Sequence, residues 1–258
     1  VLKDTPLGCA VVRAALCRPT LAYIIPIHNN PTGATLPLCK RQRLVQLSHM
    51  HGFLIVADEV YQLLSFPGAP PPPPPMREVE RAMHAAGALQ QDGGGRSICS
   101  SVVSLGSFSK INSPGLRLGW CDAAAPQLLK LRADGVLGSG GSIAPLASGI
   151  AHSLLQLGSL QEHLHGTIRP SLEHNCAALC DALEQHLPPG CSFQRPQGGY
   201  FVWVKLPQQV RSGVAGGGPA VWHGCHASSQ PRARCKTAWL VAHIVAAAAA
   251  AAAAADVC

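Results

Sequence analysis

The chain has 258 residues, of which 47% are hydrophobic and only 13% charged, with 26 Gly, 22 Pro and 11 Cys. That composition excludes a disordered or collagen-like chain, and the length allows one large domain with a substantial core. The formal charge of +7 invites a nucleic-acid partner. However, residues 208–258 alone hold four basic side chains against one acidic, and no basic stripe with interleaved aromatics runs elsewhere, so nucleic acid is set aside.

Residues 21–27 (LAYIIPI), 53–57 (FLIVA) and 102–105 (VVSL) are short, continuous apolar runs rich in β-branched residues. Such runs predict parallel strands covered by helices on both faces, hence an α/β class. Between the first two, residues 37–51 predict a helix: Pro37 suits its first turn, and Leu44, Leu47 and Met50 recur on one side. Strand, helix, strand implies a right-handed crossover. Pro70 to Pro75 must be an extended surface loop, and Gly93 to Gly95 marks another. Two helical stretches follow at 142–157 and 160–187, the second bent or divided by Pro170. A strand at 200–206 (YFVWVKL) belongs to a smaller satellite domain.

From about residue 208 the character changes, with Gly216 to Gly218, scattered His and Cys, and ten alanines at 246–255. Residues 238–255 are apolar apart from His243, but alanine is weakly hydropathic, which favours a helical or disordered tail over a membrane span. The odd cysteine count and lack of framework spacing read as reduced thiols of an intracellular protein. The chain begins at Val1, so its true start and any targeting peptide are expected to be missing. The compartment expected is the cytoplasm, with an organelle as the alternative.

In open α/β sheets, ligands bind outside the carboxyl ends of the strands. Here those ends run into HNNPTG (28–33), DEVY (58–61) and GSFSK (106–110), followed by GLRLGW (115–120). A lysine able to form a Schiff base, a carboxylate for a pyridine nitrogen, and hydroxyls with an arginine for a phosphate make a site for pyridoxal 5'-phosphate.

Taken together, IPIHNNPTG (25–33), FLIVADEVY (53–61), SFSKINSPGLRLGW (107–120) and PQGGYFVWVKLP (196–207) resemble the fold-type I, class I/II aminotransferases, in particular the α-aminoadipate and kynurenine group. The resemblance runs from about residue 20 to 207. It implies a partial transferase-like large domain with a mostly parallel sheet over residues 1–160, part of a small α+β domain over 161–207, and an unmatched low-complexity tail over 208–258. The activity implied is exchange of an amino group between an α-amino acid and a 2-oxo acid, in a homodimer. Alternatives on the same scaffold are a C–S lyase or β-eliminating enzyme, and a non-catalytic aminotransferase-like module.

By the same resemblance, Lys110 would bind the cofactor and then shuttle the substrate's Cα proton, although a lysine is more often a solvated surface cation. Asp58 would pair with the pyridine nitrogen, or equally cap a helix. Asn30 and Tyr61 would hydrogen-bond the cofactor's phenolic oxygen; read plainly they are a turn residue and a core aromatic. Ser107, Ser109 and Arg117 would hold the phosphate, the plain alternative being turn formers and a surface cation. Pro114 and Gly115 predict a specified turn before Arg117. Gly198 and Gly199 look like a close-packed start to a strand, with no catalytic role, and His28 looks structural.

Two family features find no counterpart: an N-terminal phosphate loop with an aromatic ring for the pyridine, and a C-terminal arginine for the substrate carboxylate, since neither Arg232 nor Arg234 stands in that motif. The expectation is therefore a chain incomplete at both ends, impaired in substrate binding, with an uncovered sheet edge. No metal is expected: His223, Cys225, His226 and Cys235 match no ligand spacing, and Cys176 with Cys180 is better explained as core.

Overall fold

The computed structural model describes residues 19–89, 100–135 and 144–206, and the backbone of 238–243. Strand β1 (Leu21–Ile24) leads through the HNNPTG loop to helix α1 (Leu38–His51), then β2 (Leu54–Asp58), helix α2 (Met76–Ala85), β3 (Val102–Ser107) and β4 (Gly119–Asp122). These four strands form one sheet in the order β1-β2-β3-β4, parallel except for the antiparallel β4. The α/β class and mostly parallel sheet are as the sequence predicts. β1 stops short of the predicted 21–27 run because Pro26 has no N–H to continue a ladder. Helix α1 ends at Gly52, which adopts φ 73° and returns its N–H to the Ser48 carbonyl.

On one sheet face Ile24, Ile55, Ala57 and Val102 pack with Val45 of α1 and with Met76, Val79 and Met83 of α2. Two buried polar clusters fix these helices. Glu80 accepts hydrogen bonds from His49 Nε2 (2.9 Å), the Ser101 N–H (2.6 Å) and Ser100 Oγ (2.7 Å), and from Arg77. Burial alone would raise its pKa; the donors and the Arg77 charge overcome that and hold it at about 2. Arg41, wholly buried, donates to the carbonyls of Leu36, Pro26 and Pro74 at 2.8–2.9 Å and lies 3.5 Å from Glu59. Burial pushes the Glu59 carboxyl up and the Arg41 guanidinium down.

The proline run is extended, as predicted, and its carbonyls serve as acceptors: Pro73 for Gln62 Nε2 (2.9 Å), Pro74 for Arg41. Past β4 come α3 (Ala125–Arg132), α4 (Pro145–Gln156), α5 (Ser159–His163) and α6 (Arg169–His186). Pro170 does not divide the long helical stretch, which runs unbroken over 159–186; one π turn at Leu164–Ile168 precedes the proline, which sits in the first turn of α6. Strands β5 (Ser192–Phe193), β6 (Phe201–Leu206) and β7 (Ala238–His243) make a second, antiparallel sheet.

β7 corrects the reading of 208–258 as a helical or disordered low-complexity tail: residues 238–243 pair with all of β6, whose apolar run demands a partner. Gly93 to Gly95, the 223–235 His/Cys group and the alanine run lie outside the described residues. Among those described, no helix is long and apolar enough to cross a membrane.

Candidate active site

The loops at the carboxyl ends of β1, β2 and β3 carry the predicted residues to one edge of the sheet. Asp58 is the last residue of β2, and strand register puts Asp58, Val56, Tyr23, Leu105 and Ser107 on the same face. That face is the less buried one: Val56, Asp58, Leu105 and Ser107 are each partly accessible. No helix follows Asp58, so its role as a helix cap falls away. Its neighbour Glu59 turns to the opposite side, accepting the Met76 N–H at 2.8 Å.

The HNNPTG loop divides labour between its two amides. Asn29 builds the turn, donating to the Ile25 carbonyl (3.1 Å) and accepting from Thr32 Oγ1 (2.9 Å). Asn30 is thereby left for the site, where its amide acts on the Tyr61 phenol. Tyr61 is buried against Tyr200 and Phe201, edge to face at 6.0 and 5.9 Å. Burial, then the Asp58 charge, raise its pKa, with Asn30 opposing; the phenol stays a donor at neutral pH.

Ser107 closes β3 and accepts the Ser109 N–H through its Oγ (3.1 Å). Arg117 Nη1 reaches Ser109 Oγ at 3.5 Å and the Pro114 carbonyl at 3.4 Å. The turn predicted at Pro114–Gly115 is a single 3-10 turn, after which Arg117 takes φ +47°, a left-handed conformation that costs a non-glycine residue about 1–2 kcal/mol. Lys110 is exposed, and among the described residues its ammonium has no hydrogen bond or ion pair, while Tyr200 Oη donates to its carbonyl at 2.7 Å. The loops thus gather Asn30 with Tyr61, and Ser107 with Ser109 and Arg117, beside Asp58 and Lys110.

Gly198 and Gly199 are spacers. A Cβ on Gly198 would lie 2.4 Å from His28 Nε2, and one on Gly199 2.7 Å from His28 Cβ. His28 is itself buried, bonded to Ser65 Oγ at 2.9 Å. Cys176 and Cys180 are buried neighbours on α6, Sγ to Sγ 3.9 Å. His49, Glu80 and His84 bring donor atoms within 4.8 Å, but Glu80 is already occupied by its other partners, so the trio is structural.

Two residues escaped the sequence reading. Tyr23 donates to Asp58 Oδ2 at 2.5 Å, and Tyr200 touches both Tyr61 and Lys110. Neither is visible locally: Tyr23 reaches Asp58 because β1 pairs with β2 in the register Tyr23 to Val56, and the contact of Tyr200 with Lys110 spans 90 residues.

The donor set fits pyridoxal phosphate: one carboxylate oxygen without a hydrogen bond among the described residues, a free lysine amine, a phenol–amide pair, and hydroxyls beside a guanidinium. Comparison with known proteins agrees. The family model "Aminotransferase class I and II" matches residues 24–253. A 2-aminoadipate transaminase of Thermus thermophilus is 33% identical over 191 residues, 74% of this chain and 43% of the relative. An aromatic-amino-acid aminotransferase of Thermococcus litoralis is 31% identical over 74% of this chain and 40% of its own. The crystal structure of an α-aminoadipate aminotransferase from Thermus thermophilus, complexed with N-(5'-phosphopyridoxyl)-L-leucine, superposes with a TM-score of 0.65 at 30% identity, covering 82% of this chain and 50% of that one. The chain therefore spans half or less of the length of these proteins.

Proposed function

Because the chain belongs to the class I and II aminotransferase family, we propose that it binds pyridoxal 5'-phosphate and exchanges an amino group between an α-amino acid and a 2-oxo acid. The observation that carries this reading is the gathering of Lys110, Asp58, the Asn30–Tyr61 pair and the Ser107–Ser109–Arg117 cluster at the carboxyl ends of three adjacent strands. When bound, the cofactor supplies an electron-withdrawing ring that accepts the electron pair left at the substrate's Cα.

The chain's own residues do the rest. Asp58 would hold the ring nitrogen in its protonated form through a charged hydrogen bond. Tyr61, kept protonated by burial, would donate to the phenolic oxygen, and Asn30 would fix that phenol in place. Arg117 would meet the phosphate with its fork of N–H groups, flanked by the two serine hydroxyls. The Lys110 amine would anchor the cofactor covalently and, once displaced by substrate, carry the proton away from Cα and return it elsewhere.

The proposal assigns residues 1–160 to the cofactor-holding domain and those from 161 on to a smaller one, which extends past 207 to take in β7; two separate sheets support the division. It includes a homodimer, as in the family, and a cytoplasmic setting, supported by the free thiols of Cys39, Cys121, Cys176, Cys180 and Cys191.

The test is to mix the purified chain with pyridoxal phosphate, treat it with borohydride and map the modified peptide by mass. A visible absorption band, with the pyridoxyl group fixed on Lys110 and absent from Lys110→Ala, is the expected result. A folded chain, by circular dichroism, that takes up no pyridoxyl group at Lys110 would overturn the reading.

A further inference from the structure

The contact between Tyr23 and Asp58 is assigned no role by the family motifs, yet it touches the most consequential carboxylate of the proposed site. Tyr23 Oη donates to Asp58 Oδ2 at 2.5 Å, bridging two adjacent parallel strands. Register explains the reach: Tyr23 pairs with Val56, so its side chain emerges on the Asp58 face one step earlier and leans along the strand to the carboxylate. The partner oxygen, Oδ1, makes no hydrogen bond among the described residues. The ring itself is 57% exposed, so core packing does not account for its placement.

We infer that Tyr23 is a positioning residue for the cofactor: its hydroxyl locks the rotation of the Asp58 carboxylate, leaving Oδ1 aimed at the ring nitrogen. This rests on the cofactor reading given above. A carboxylate at a strand end turns about its terminal bond at little cost, because such sp³–sp² torsions are broad. A charge-assisted hydrogen bond to one oxygen removes that freedom before the cofactor arrives. The phenol is suited to the task because it keeps its proton: partial desolvation, then the bond to Asp58 and its charge, push the Tyr23 pKa up to about 12. It is therefore a permanent donor over the working pH range.

The variant is Tyr23→Phe, which keeps the ring and deletes one oxygen from an exposed side chain, so the fold should be unaffected. Parent and variant chains are loaded with pyridoxal phosphate labelled with ¹⁵N in the ring. Two quantities are read: cofactor affinity by absorbance titration, and the ring-nitrogen chemical shift. The expected result is affinity weakened roughly tenfold, the size of one lost charged hydrogen bond, with the ¹⁵N signal displaced from the pyridinium toward the pyridine value. A shift that does not move, in a variant with parental melting behaviour, overturns the inference while leaving the cofactor reading intact. A parent that never attaches the cofactor at Lys110 overturns both, and the borohydride mapping tells the two cases apart.

Discussion

His28 shows how a single side chain can make a fold sensitive to acid. It is 3% exposed, and burial, reinforced by the Arg41 charge, lowers its pKa to about 4. The unfolded chain takes up this proton near pH 6.5 and the folded one only near 4, so stability is fully present above 6.5 and falls as the pH drops through that window. The loss amounts to about 3 kcal/mol. Urea melts at pH 7, 5.5 and 4 should show that decline in the parent and a shallower one in His28→Gln. The glycine at 198 exists for the same ring: Gly198→Ala would force a Cβ within 2.6 Å of the Leu64 carbonyl as well as onto the imidazole. It should cost about 1–3 kcal/mol, read as a lower urea midpoint. Of the site residues, those in the loop motifs were legible because each has a distinctive neighbour sequence. Tyr23 was not, because its role depends on which strand lies beside β1, which no local pattern in LAYIIPI records.

Helix α2 is held by electrostatics as much as by packing. Glu80 joins α1, through His49, to the segment entering β3, through Ser100 and Ser101, and neutralises the buried Arg77. Glu80→Ala should therefore leave Arg77 uncompensated and cost about 3–5 kcal/mol, seen as a marked fall in thermal midpoint with β2 and β3 losing hydrogen-exchange protection together. The main strands could be read from apolar patterning; so could the existence of helix α1, but not its buried face, which carries Arg41, Val45 and Ser48 while Met50 of the predicted Leu44–Leu47–Met50 side is 56% exposed. Helix α2 could not, since it follows six prolines and its ten residues include four charged ones, and its buried Arg and Glu mimic a solvated face. β4 was hidden for a different reason. In GWCD a tryptophan stands where Gly106 leaves room for it: a Cβ there would fall 2.0 Å from the indole. That pairing is visible only across strands.

At the scale of the molecule, apolar side chains remain at both sheet edges and along the helices. Leu21 and Tyr23 on β1 are 53% and 57% exposed and Trp120 on β4 45%, with Leu146 and Leu157 near 78%. Among the described residues, β1 and β4 each pair on one side only. Surfaces of this kind favour association. Light scattering should give a mass above that of one chain at micromolar concentration, and a strictly single-chain mass would contradict the homodimer. The class of the fold and its cofactor edge were legible because they follow from strand order and loop composition. Of the second sheet only β6 was legible, because β7 pairs with it across more than thirty residues of irregular composition.

The way the proline run is held has a consequence for how this protein can vary. Gln62 and Arg41 grip it by the carbonyls of Pro73 and Pro74, and Arg41 takes the Pro26 carbonyl with the same guanidinium. Every residue type offers that oxygen, so the grip is blind to sequence but strict about spacing. Substitutions in the run should pass nearly unnoticed, while removal of one residue would drag the start of α2 and the anchor behind HNNPTG out of register. The segment that looks least informative in the sequence is thus a ruler: its letters are free and its length is not.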